Sequence, residues 1–102
     1  MNKINERVYL ISLFGFYKNL LTDKQQTYFQ KHYYADWSLN EIADEFHVSK
    51  NAVYDSLQKI YKLLHKYEML LHLHEKQTGR MQLYDRLENE ELKKEFLRIE
   101  EL

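Results

Sequence analysis

The chain has 102 residues, of which 44% are hydrophobic and 30% charged, and its formal net charge is −1. That length suits one compact domain, the apolar fraction argues against wholesale disorder, and the charge excludes a polycation, so any nucleic-acid surface must rest on local charge. Cysteine and proline are absent and there are two glycines, which excludes disulfides and thiolate metal sites and predicts an all-α fold. The start, Met1 to Arg7 followed by the apolar run Val8 to Leu13, is too short and lacks a small-residue cleavage site, so no signal peptide is expected. No stretch approaches the ~18 apolar residues of a membrane span, and a cytoplasmic protein that does not enter the membrane is expected.

In chain order, Glu6 to Leu21 reads as a helix whose broad apolar face follows Val8, Ile11, Phe14 or Gly15 and Lys18 or Asn19, with Tyr9, Leu10, Leu13, Phe16, Tyr17 and Leu20 apolar beside them. Thr22-Asp23-Lys24-Gln25 is a capping box that starts a second helix reaching about Tyr34, with Tyr28, Phe29 and His32 or Tyr33 as core positions. Ala35-Asp36-Trp37 breaks the period. Ser38-Leu39-Asn40-Glu41 is a second capping box, and it opens a short helix, Leu39 to Phe46, with Leu39, Ile42, Ala43 and Phe46 inward. His47-Val48 reads as a tight turn and Ser49 as a third cap. A long helix then runs from Lys50 to about Lys76, and Thr78-Gly79 is expected to stop it with Gly79 in the left-handed position. Met81 to Leu102 completes the chain as a charged helix with Leu83, Leu87, Leu92, Phe96 and Ile99 on one side. The expected organisation is a domain over 1–80, with a motif at 38–57, and a C-terminal helix over 81–102 packed on the long helix or in a dimer.

The stretch Ser38 to Leu57 carries the pattern of a helix-turn-helix. Two short-linked helices crossing at about 90–120° need a small residue where they touch, which Ala43 supplies. Val48, Val53 and Leu57 fill the angle between them. The turn position often taken by glycine is His47, a residue type that tolerates positive φ better than most. Two packed helices of an ordinary bundle would share part of this pattern.

Leu21 to Gln25, Tyr33 to Phe46 and Val48 to Asp55 together resemble region 4 of sigma-70 factors, and more narrowly the YlxM family of small bacterial proteins. Leu13 to Tyr17 and the tyrosine- and leucine-rich helix after the motif are similar to that family too, so the resemblance covers roughly residues 4–73. It implies an all-α protein with an extended recognition helix, self-association, and a regulatory link to the signal recognition particle pathway. The chain departs from the family where Lys50 and Asn51 stand for the frequent Arg and Gln, and where Gln58-Lys59 stands for two basic residues. Lysine lacks the bidentate fork that arginine offers guanine.

The residues expected to bind nucleic acid are Ser49, Lys50, Asn51, Tyr54, Gln58, Lys59 and Lys62. Between Lys50 and Lys66 four lysines face one acid, Asp55, a local +3, and Lys59, Lys62 and Lys66 form a stripe that fits a phosphate backbone. The same stripe also fits a solvated lysine face. The preceding helix carries Glu41, Asp44 and Glu45, a local −3 that crosses a backbone poorly. His65, Glu68, His72 and Glu75 recur on one helical face, but a single helix cannot enclose an ion, so no metal and no cofactor are expected. No activated nucleophile, phosphate loop or carboxylate pair is visible, so the protein is read as a non-enzyme. Val53, Leu57, Ile60, Leu64, Tyr67 and Leu71 alternate at spacings of 4 and 3, a coiled-coil seam beside a second strip. A homodimer through Leu63, Leu64, Tyr67, Leu70 and Leu71 is therefore expected. Three functions remain open: a regulator in the signal recognition particle pathway acting on RNA or protein components, a DNA-binding transcriptional regulator, and a helical interaction module.

Overall fold

The computed structural model describes residues 3–102 and contains six helices: α1 (Lys3–Tyr17), α2 (Asp23–Phe29), α3 (Leu39–Phe46), α4 (Lys50–Leu71), α5 (Leu73–Asp85) and α6 (Glu90–Glu100). A 3-10 turn, Lys18–Leu20, follows α1, and a π turn, Gln30–Tyr34, continues α2. No strand occurs among the described residues, so the fold is all-α as expected. Residues 1 and 2, which open the expected 1–80 domain, lie outside the described residues. The chain divides into two compact units, and the division falls between Leu71 and His72.

The first unit is organised by its caps and its aromatic core. Both capping boxes close: Gln25 N donates to Thr22 Oγ1 at 3.1 Å and Thr22 N to Gln25 Oε1 at 2.9 Å, while Glu41 N and Ser38 N make the equivalent pair, each at 3.1 Å. Phe14 of α1 stacks on Phe29 of α2 with centroids 4.2 Å apart, and Phe29 stacks in turn on Tyr33 at 4.4 Å. Tyr28 meets Phe46 of α3 at 5.2 Å. Leu13, Phe29, Ile42, Val53, Ile60 and Leu64 are fully enclosed. Each such side chain contributes about 1.5–3 kcal/mol by leaving water. At the lower end of the core, the buried Tyr17 hydroxyl donates to Glu68 Oε1 at 2.6 Å.

The end of α2 departs from a plain α-helix. Ala35 N donates to Gln30 O at 3.1 Å and Trp37 N to Lys31 O at 2.9 Å, widening the last turn, and Asp36 takes φ 57° to leave it. Arg7 of α1 holds this end. Its Nη2 donates to Tyr33 O and to Asp36 Oδ1, both at 2.9 Å, and its guanidinium lies 5.0 Å from the Tyr33 ring centre. A cation at a helix C-terminus is where the carbonyl dipoles favour it. Burial raises the Tyr33 hydroxyl above the usual tyrosine range, against the lowering pull of Arg7.

The second half of the chain corrects three expectations. The long helix ends at Leu71, not near Lys76, because His72 adopts φ 56° and ψ 30°. Gly79, expected to stop that helix, lies inside α5 without a left-handed backbone. A glycine in a helix interior costs about 1 kcal/mol relative to alanine, a penalty that the residues around it can absorb. The expected single helix over 81–102 is likewise two pieces: the end of α5, then α6, whose cap is Asn89 Oδ1 accepting from Glu91 N and Leu92 N. Leu83, Leu92 and Ile99 do not form a buried stripe, being 59%, 49% and 66% exposed. Within this unit Tyr84 packs on Phe96 with centroids 5.4 Å apart, and Arg80 pairs with Glu100.

Candidate nucleic-acid interface

The helix-turn-helix geometry is built by backbone bonds around one small residue. The carbonyl of Ala43 accepts from Val48 N at 3.0 Å, closing the turn behind α3. His47 makes that closure possible by taking φ 56° and ψ 44°. Ser49 then caps α4, its Oγ accepting from Ala52 N at 3.0 Å. Ile42, Ala43, Val53 and Leu57 are buried where α3 crosses α4, so the outward face of α4 is set rigidly by the inner one.

The strain at His47 gives a measurable consequence. A left-handed non-glycine residue costs roughly 1–2 kcal/mol, and glycine gives back part of that through its freer unfolded chain. His47→Gly should therefore stabilise the protein by about 0.5–1 kcal/mol in urea unfolding, and His47→Val should destabilise it. A lower midpoint for the glycine variant would show that the imidazole contributes something the turn needs.

Ser49, which caps α4, and Lys50, Asn51, Tyr54, Gln58, Lys59 and Lys62 on it are all exposed, and Asn51, Gln58, Lys59 and Lys62 lie on the side opposite Val53, Leu57 and Ile60. Asp55 is exposed among them. On α3, Glu41, Asp44 and Glu45 are exposed as well, so the acidic and basic helices of the motif both present their charge to solvent. Sequence reasoning missed the flank facing α2, where Thr22, Lys24, Gln25, Tyr28, Ser56 and Lys59 line a groove of about 250 Å³. Linear periodicity carries no signal for it, because its two sides, Thr22 to Tyr28 and Ser56 to Lys59, lie far apart in the chain.

The five leucine and tyrosine positions expected at a dimer interface separate. Leu64 is fully enclosed in the core of its own chain and is not on the surface, because α1 lies along this part of α4, with Tyr9 against His65 and Tyr17 bonded to Glu68. Leu63 and Tyr67 are partly buried against that core, while Leu70 and Leu71 are 62% and 44% exposed. The row of His65, Glu68, His72 and Glu75 does not share a helix, since α4 ends at Leu71. Among the described residues, no group of three or more His, Asp or Glu side chains could hold a metal ion, and no helix is long and apolar enough to cross a membrane.

Comparison with known proteins adds a family. Residues 4–102 match the model of UPF0122, described as "Putative helix-turn-helix protein, YlxM / p13 like". The chain is 44% identical over 98 residues to a UPF0122 protein of Mycoplasma capricolum, covering 95% of this chain and 87% of the relative. A UPF0122 protein of Streptococcus suis is 49% identical over 78 residues, covering 76% and 69%. One from Streptococcus pneumoniae is 45% identical over 86 residues, covering 84% and 78%.

Proposed function

The chain belongs to the UPF0122 family of YlxM / p13-like helix-turn-helix proteins, and from that premise we propose that it is a regulatory protein that binds nucleic acid along the outward face of α4. The observation that carries this reading is the row Ser49, Lys50, Asn51, Tyr54, Gln58, Lys59 and Lys62, every member of it exposed on α4 or at its cap. Asn51 and Gln58 have the amide geometry that pairs with adenine, and the lysines neutralise phosphates. With no arginine in the row, backbone binding outweighs base reading. The resemblance to YlxM supports a role in the signal recognition particle pathway, with its RNA or protein components as partners. The protein works there as a cytoplasmic homodimer without catalysis of its own, and Leu70 and Leu71 supply the exposed apolar surface for self-association.

The test is a gel shift on DNA and RNA probes across a salt series. Lys59→Glu with Lys62→Glu should weaken binding at every sequence and flatten the log–log salt slope on DNA by about 0.9 for each phosphate no longer neutralised. Unchanged affinity would remove the stripe from the site. A sequence preference among duplexes would favour the transcriptional reading. A lysate pull-down that recovers protein and no nucleic acid would favour the interaction module.

A further inference from the structure

In the usual helix-turn-helix arrangement the first helix of the motif crosses the nucleic-acid backbone. Here that helix, α3, presents Glu41, Asp44 and Glu45 to solvent, and phosphates are repelled by it. The phosphates must then be met by the other flank of α4, and that flank has a groove suited to them. Lys24 stands on its α2 side and Lys59 on its α4 side, with the Thr22 and Ser56 side chains along the walls. The Lys24 ammonium sits 5.5 Å from the ring centre of Tyr28, which is itself buried, a cation–π contact that favours its place at the groove. The neighbouring acids, Asp23 and Asp55, do not line it. At the start of α2 the capping box already occupies the amides of Thr22 and Gln25.

We propose that this groove holds one phosphate of a nucleic-acid backbone, clamped between the Lys24 and Lys59 ammonium groups and hydrogen-bonded by the Thr22 and Ser56 hydroxyls. The Thr22 oxygen accepts from Gln25 N and keeps its own proton to donate. The strand then runs on the α2 side of α4, along Lys59, Lys62 and Lys66, and away from α3. This rests on the nucleic-acid reading above and adds to it residues outside the motif.

The experiment measures binding of the full chain to a labelled random-sequence DNA duplex and an RNA duplex of equal length, each across a salt series. Lys24→Gln should reduce the slope on DNA by about 0.9, which near 0.15 M salt is about a fivefold loss of affinity if the two proteins are equal at 1 M. Lys24→Gln with Lys59→Gln should reduce the slope by about 1.8. Lys94→Gln, on α6, should leave it unchanged. Equal losses on both probes identify the shared phosphate chemistry, and a loss on one alone identifies the nucleic acid that the groove takes. Wild-type binding with a steep slope, unaltered in Lys24→Gln, would overturn the groove and leave the α4 reading intact. Absence of salt-dependent binding by the wild type to either probe would overturn both. Circular dichroism checks that each variant is folded, and Ser56→Asp, which sets an acid in the groove, should weaken binding more than Lys24→Gln does.

Discussion

Phe29→Ala should destabilise the first unit by about 3–5 kcal/mol, a large share of the roughly 5–15 kcal/mol that holds a small domain folded. Phe29 is fully enclosed, and its ring lies between Phe14 of α1 and Tyr33 of the π turn. Truncation removes the transfer free energy of the ring, leaves a cavity, and deletes two aromatic pairs worth about 0.5–1.5 kcal/mol each. It also loosens the segment that sets the angle between α2 and α3, so nucleic-acid binding should fall along with stability. Urea unfolding followed by far-ultraviolet circular dichroism measures the first effect. A cost under about 1 kcal/mol would mean that α1 and α2 are not joined through this stack.

The parts of the molecule legible in the sequence are those where short-range rules act alone. The capping boxes at Thr22 and Ser38 needed only residue types at fixed spacing, and both closed with the expected partners. The turn at His47 was readable because Ala43, Val48 and Val53 leave one position that must take positive φ. The sequence was silent where a distant residue decides. Nothing between Gln30 and Asp36 announces a π turn; Arg7, from another helix, holds its carbonyls in place. The stop at His72 was missed because Gly79 is the stronger local breaker, yet a histidine carries the left-handed residue and the glycine stays helical. The outward face of α4 was legible, since whatever lies opposite Val53, Leu57 and Ile60 must be outward. The groove beside it was not, since it forms only when α2 is laid against α4.

Leu64 and its neighbours divide between the core and the surface, and they carry the second large effect. Leu64→Glu should leave the chain unfolded or insoluble, costing more than about 4 kcal/mol, because it sets an unpaired carboxylate in a site with no exposure to water. Loss of a dimer in that variant would therefore say nothing about the interface. The informative change is Leu70→Lys with Leu71→Lys. Both leucines are exposed, and lysine near the end of α4 suits the negative end of the helix dipole, so the fold should stay intact. If a second copy covers these residues, the double variant should sediment as a monomer with the wild-type circular dichroism spectrum. A wild type that is already monomeric at micromolar concentration would sink the homodimer. Pairing of recognition helices across a two-fold axis would then be lost with it, and α4 would meet its nucleic acid singly, with Lys24, Lys59 and Lys62 supplying most of the affinity.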